Sequence, residues 1–322
     1  MFSRLLVLLG FCVTAALAPM GSAIAQSKPT RLIVAFPPGG PVDIVARAVG
    51  EQLSKELGRP VLIENKPGGN GAIAASEVMR SEPDGSTLWF SSVGAVAINP
   101  SLYEKLQYDM VRDFAPVSMV ANNVELFVVN PADPAKDAAE FVANAKVKKD
   151  PVTFASTGTG SIPHMAIEQF ADASGTKVLH IPYKGAAPAI TDLMGGQVAG
   201  FFGDIPGLIG HVRGGKLKAL GLAATRRHPA LPEVKTLEEQ GIKNVDTNNW
   251  YALFAPIKTP TAILEALNKA VRQTMDNPQL KDKLLKSGAE PAPSTSKELA
   301  SILRQDTEKW AKLIRAKNIR PD

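Results

Sequence analysis

Short apolar runs alternate along the chain with stretches in which apolar residues recur roughly every three or four positions. Residues 31–36 (RLIVAF) read as a strand, and PPGG at 37–40 breaks it. A helix follows: Pro41 suits its first position, Ile44, Ala48, Leu53 and Leu57 trace one stripe, and Gly58 stops it. Residues 61–64 form the next strand, NKPGGNG at 65–71 a loop, 72–80 a short helix, PDG at 83–85 a turn and 87–91 (TLWFS) a third strand. The middle of the chain repeats the theme, with strand candidates at 125–129, 152–155, 178–181, 198–202 and 219–223 and a helix from about Pro163. After 250–254 the pattern turns helical. Thr259 and Pro260 open a helix with Ile263, Leu264, Leu267, Val271 and Met275 on one face. The last helix starts near Thr295, whose spacing to Glu298 fits a capping box.

Strand, loop and helix in repetition predict an α/β fold with parallel strands. The strands fall into two groups, 31–91 and 152–223, so two α/β lobes joined by crossings near 119–126 and 248–254 are expected.

The first residues stand apart. Arg4 precedes an uncharged apolar run, and Ala23-Ile24-Ala25 is a small-x-small cleavage signal, so 1–25 read as a secretory leader cut after Ala25. The run is shorter than the roughly 20 apolar residues a membrane span needs. The single cysteine, Cys12, lies inside it, and export without disulfides suits a bacterial periplasm.

Composition narrows the class. With 45% hydrophobic residues and 12 Phe, the chain has ample core material and is neither disordered nor a disulfide scaffold. The net charge of +5 is spread without a basic stripe, so nucleic acid is not a predicted partner.

Three times a strand runs through Gly-rich backbone into a helix start: at 36–43, 65–74 and 156–164. Helix N-termini leave N–H groups unpaired and partially positive, so they bind anions without a cationic side chain. Asp43, in a first helical turn, either complements that dipole or positions the loop or a ligand donor. Asp204 is either a turn residue or a cleft-facing acceptor. Enzyme templates fail: there is no G-x-S-x-G elbow, and GHVRGGK at 210–216 has Leu217 where a P-loop needs Ser or Thr, so it reads as a turn. His164 and Glu168 are four apart on a predicted helix, but nothing completes a metal set, and neither metal nor cofactor is expected.

Taken together, FPPGGPVDIVAR at 36–47, ENKPGGNG at 64–71, PDG at 83–85, NPSLY at 99–103, DFAPV at 113–117, HIPYKG at 180–185, GGQV at 195–198 and GGKL at 214–217 carry a family resemblance. The sequence resembles the extracytoplasmic solute-binding proteins of tripartite tricarboxylate transporters, the Bug proteins, over essentially the whole chain after the leader.

The resemblance implies a periplasmic binding protein type II-like fold, with 26–121 and 250–322 forming one lobe, 122–249 the other, and the ligand cleft between them. It implies a monomeric, non-enzymatic receptor that captures a di- or tricarboxylate or an aromatic acid and passes it to membrane permease subunits. A sensory partner of a membrane signalling protein, or an exported hydrolase using Ser156 or Ser161 with His164, are the alternatives. Carried over by position, the ligand contacts are Pro38, Gly39, Gly71, Ala72, Ser92, Ser156, Thr157, Gly158, His164 and Tyr183. Phe36, Asp43 and Asp204 join them. Many members have Asp where this chain has Gly203, so a ligand ammonium would have to rely on Asp204. Phe36, Trp89, Phe90, Phe201 and Phe202 either favour a flat aromatic acid or belong to the core.

Overall fold

A computed structural model describes residues 28–321; the leader read at 1–25 lies outside the described residues. The first lobe opens with β1 (Thr30–Val34), α1 (Pro41–Leu57), β2 (Val61–Asn65), α2 (Ala72–Met79) and β3 (Thr87–Ser92). A π-helical turn (Gly94–Ile98) and the short helices α3 (Asn99–Leu102) and α4 (Met110–Asp113) lead into β4 (Phe114–Val129). The second lobe holds α5 (Ala138–Lys146), β5 (Val152–Ser156), α6 (Ile162–Ser174), β6 (Val178–Pro182), α7 (Ala186–Met194), β7 (Gly200–Asp204), α8 (Ile205–Arg213) and β8 (Lys218–Leu222). The chain returns through β9 (Asn248–Pro256) and ends with α9 (Thr261–Asp276), α10 (Pro278–Ser287), β10 (Glu290–Pro291) and α11 (Ser296–Lys317).

Eight strands lie in the order β2-β1-β3-β9-β4-β7-β5-β6. In the first lobe β1 is parallel to both β2 and β3, and in the second β5 is parallel to both β6 and β7. Two long strands join the halves. β4 pairs antiparallel with β9 from Phe114 to Val124, then with β7 from Glu125 to Val128. The sequence places a crossing near 119–126 and a strand at 125–129, and leaves out the start of β4. Pro116, Ser118, Asn122 and Asn123 interrupt the apolar alternation that marks a strand, and register shifts at Pro116/Ser118 and Met119/Ala121 absorb the irregularity. The stretch 210–216 is also more ordered than the expected turn. Its first residues complete α8, and the chain turns only at Gly214 and Gly215.

Each lobe has a core on both faces of its sheet, as period-two strands require. In the first lobe Trp89 packs against Tyr108, Phe114 and Phe254, while its neighbour Phe90 faces the opposite side and meets Tyr251. In the second, Phe127 stacks on Phe202 with centroids 4.9 Å apart, and Phe141, Phe154 and Phe170 close around them. Each such side chain removed from water contributes about 1.5–3 kcal/mol. Trp89, Phe90 and Phe202 are thus core residues. Gly58 caps α1 in the left-handed region, and Thr295 and Glu298 form the predicted capping box of α11.

Candidate functional site

The two lobes meet along a cleft at the carboxyl ends of their parallel strands, where loops lead into helices. An inner chamber of about 40 Å³ lies at its base. An outer chamber of about 780 Å³ adjoins it, and Phe36, Pro37, Asn70, Thr157 and Gly185 line both. By volume the inner chamber has room for roughly three waters.

Four helices begin on the wall of the inner chamber: α1 at Gly40, Pro41 and Val42, α6 at Ser161 and Ile162, α7 at Gly185, Ala186 and Ala187, and α8 at Asp204 and Gly207. The sequence cause is the same each time. A β-rich run ends, Gly or a polar residue stands at the cap, with extended backbone at Gly40 and Ser161 and a positive φ at Gly185, and Pro follows within the first turn of α1, α6 and α8. The cap residues of α1, α7 and α8 make no side-chain cap bond, so their first N–H groups are not satisfied from within. Only α6 is capped, by Ser161 Oγ accepting from the His164 N–H. Neither Lys nor Arg lines this chamber, and Lys184 reaches only the outer one. The chamber therefore offers an anion peptide N–H groups and helix dipoles.

Contacts between the lobes surround the chamber. Asn70 Nδ2 donates to the Gly160 carbonyl at 2.9 Å and to Asn99 Oδ1 at 3.0 Å. Gly185 has φ +105°, and a Cβ there would stand 2.9 Å from Pro37 Cγ in the other lobe. A Cβ on Gly207 would stand 3.1 Å from Pro41 Cδ. At the base, Asp204 accepts from Tyr251 Oη at 2.6 Å and from Asn249 Nδ2 at 3.0 and 2.9 Å. Its partner in the β4–β7 register is Glu125, fully buried. Burial raises the Asp204 pKa to about 6, against the opposing effect of the Tyr251 and Asn249 bonds. Burial, and then the neighbouring Asp204, push Glu125 well above the usual carboxyl range.

Of the residues singled out in the sequence, Phe36, Ser92, Thr157 and Asp204 line the inner chamber, and Gly71, Gly158 and Tyr183 the outer one. The others are placed elsewhere. Pro38 and Gly39 are exposed, and the neighbouring Pro37 and Gly40 take the wall positions. Ala72 faces a separate groove with Ser76 and Glu77. Asp43 turns inward: burial opposes its charge, but bonds from Arg47, the Gly39 N–H and Asn65 keep its pKa below the usual value. It braces the 36–40 loop, which was one of the two roles open to it. Tyr183 Oη donates to Asp192 at 2.7 Å.

Ser156 and His164 lie behind the wall. Ser156 Oγ is 2.6 Å from His180 Nε2, and it accepts from the Gly158 N–H at 3.1 Å. His164 stacks on His180 at 3.8 Å, accepts from the Gly160 N–H through Nδ1, and stands 3.7 Å from Glu168. These contacts hold the 156–161 loop against α6. The Ser–His164 pairing that a hydrolase would need is not formed: Ser156 faces His180, and Ser161 Oγ serves as a cap.

Sequence reasoning missed Asn249, Glu125 and the α7 and α8 N-termini. The helix starts were legible, since Lys184-Gly185-Ala186 and Asp204-Ile205-Pro206-Gly207 repeat the strand–Gly/polar–helix theme. Glu125 was visible as a lone acid before an apolar run. Nothing in the sequence marked Asn249.

Comparison with known proteins adds to this geometry. The family model of the tripartite tricarboxylate transporter family receptors matches residues 45–319. The chain is 32% identical to Protein BugT of Bordetella pertussis over 97% of each chain. Among solved structures, R. palustris Rpa4515 with adipate superposes with a TM-score of 0.89 at 28% identity, over 92% of this chain and 100% of that one. MatC (Rpa3494) from Rhodopseudomonas palustris with bound malate superposes with a TM-score of 0.82 at 30% identity, over 89% and 98%.

Proposed function

The chain belongs to the tripartite tricarboxylate transporter family receptors, and from that membership we propose that it is a periplasmic receptor that captures a small organic carboxylate and delivers it to membrane permease subunits. The observation that carries this reading is the convergence of four helix N-termini, three without a side-chain cap, on a chamber that has no Lys or Arg on its wall. A carboxylate is stabilised there by N–H groups already in place, and a neutral solute gains nothing comparable. The adipate and malate held by two relatives are small carboxylates of this kind. The protein needs no chemistry of its own: the site binds, and release follows when the lobes part. Among the described residues no helix is long and apolar enough to cross a membrane, which accords with a receptor that needs separate permease subunits.

The test is a thermal-shift screen of the purified protein against aliphatic di- and tricarboxylates, hydroxy and amino acids, and aromatic acids. A solute at about 100 times its dissociation constant adds roughly 2.7 kcal/mol, which is readily seen. A shift with one chemical group of carboxylates is the expected result. An absence of any shift with these acids would remove the reading.

A further inference from the structure

Behind the 156–161 loop lies a pair of imidazoles that the binding of an anion leaves unused. His164, in the first turn of α6, and His180, on β6, stack with centroids 3.8 Å apart and planes 10° from parallel. Neither ring lines the inner or the outer chamber. His164 accepts from the Gly160 N–H through Nδ1, so that nitrogen is closed to a further proton, and Nε2 faces Glu168 at 3.7 Å. His180 is placed differently. Its Nε2 lies 2.6 Å from Ser156 Oγ. The Ser156 hydroxyl has a single hydrogen and two acceptors within reach, that ring nitrogen and the Gly158 carbonyl at 3.2 Å. With Nε2 bare, the hydroxyl donates to the ring. With a proton on Nε2, the ring donates to Oγ and the hydroxyl hydrogen turns to the Gly158 carbonyl. The Gly158 N–H donates to Oγ at 3.1 Å in either case. A proton thus enters or leaves His180 while Ser156 keeps its hydrogen bonds, and the change is passed to a loop whose Thr157 and Gly158 line the cleft.

We propose that His180 is the proton-binding residue of the solute site: the receptor takes up a proton there together with its carboxylate, and holds the acid more tightly as pH falls. This rests on the receptor reading above. His180 is a positioning residue that acts through Ser156 and the loop. An imidazolium adds a positive charge beneath the loop, and an anion bound over the loop favours that charge in return, because the two bindings share one coupling free energy. The surroundings suit a single proton. From α6 come His164 and Glu168, and Lys317 of α11 lies beyond Glu168, paired with Asp172. Strand β5, beside β6, brings no charged side chain. The bond from His164 holds the Glu168 carboxyl below its usual range, against the opposing effect of burial. Glu168 thus stays ionised and offsets one imidazolium, while the stacked rings disfavour a second.

Calorimetry with malate, succinate, adipate and benzoate tests this between pH 6.5 and pH 8, where these acids stay ionised. Heats for the tightest binder are compared in phosphate and in Tris, whose ionisation enthalpies differ, so that the protons taken up per solute are counted. Affinity should rise at least about fivefold from pH 8 to pH 6.5, the low end of coupling between two sites. Asp204, on the chamber wall, also gains a proton toward acid, since burial pushes its pKa up to about 6. Two variants separate the contributions. Proton uptake should persist in Asp204→Asn and fall in His180→Gln, whose amide still bonds Ser156. Uptake that His180→Gln leaves at the wild-type level, or an affinity that is flat across the range, would overturn the proposal and leave the receptor standing. If His180→Gln does not fold, the imidazole NMR signals of the wild type decide. The acid should move the His180 titration to higher pH, and an unmoved titration would overturn the proposal. An absence of binding by all four acids would overturn the receptor reading as well.

Discussion

Gly207 sits in the first turn of α8 with Pro41, at the start of α1, directly across the cleft. Its conformation is an ordinary one, so a side chain there is not opposed by the backbone; it is opposed by the other lobe, only 3.1 Å from a Cβ. Gly207→Val should therefore leave the separate lobes sound and hinder their meeting. Overpacking costs about 1–3 kcal/mol, which here falls on the arrangement in which the two lobes meet. Calorimetric affinity for the best carboxylate should drop at least about fivefold while the urea midpoint changes little. Unchanged affinity would mean that the lobes do not close on each other at this point. The same residue shows what a sequence conceals. Phe36, Thr157 and Asp204 were legible as wall residues because they sit in or beside Gly-rich turns. Gly207 and Asn249 were not, because their importance comes from Pro41 and Asp204, which are far away in the chain.

Helices act here through their first turns. α1, α7 and α8 begin at the chamber without a side-chain cap, and their N–H groups are the proposed anion receptors. Ala186 is the first residue of α7, a position where proline is tolerated because φ near −65° is already helical. Ala186→Pro removes one N–H and keeps the helix. A hydrogen bond to a charged acceptor contributes roughly 1.5–3 kcal/mol, so carboxylate affinity should fall at least about tenfold with the circular dichroism unchanged. An unchanged affinity would move the anion away from α7. At this scale the sequence was most informative. Helix α1 with its Gly58 stop and the α11 capping box follow from local rules. The start of strand β4 did not, since Pro116 and Ser118 break its alternation and it is held by pairing with β9.

The whole molecule is two lobes whose two crossing strands, β4 and β9, carry a buried polar cluster at the hinge: Asn123 and Glu125 on β4, Asn249 and Tyr251 on β9, and Asp204 at the end of β7. The pKa values of Glu125 and Asp204 are both raised in the folded protein. Above their unfolded values, near pH 4, the native state thus holds more protons than the unfolded state, and stability falls as pH rises through the folded values. Between pH 5 and pH 7.5 the melting temperature of the wild type should decline relative to that of Glu125→Gln, which removes one of the two titrations. Parallel melting curves across that range would show that Glu125 carries no retained proton.

The central claim is that convergent helix starts recognise a carboxylate as an anion. It is tested most directly by titrating the tightest-binding acid from the screen against its methyl ester in one calorimetric experiment. The ester keeps the size and the carbon skeleton but loses the charge, and charge-assisted bonds are roughly twice as strong as neutral ones. The account predicts that the ester binds at least about tenfold more weakly, half the strength of two charged hydrogen bonds. An ester that binds as well as the acid would contradict it.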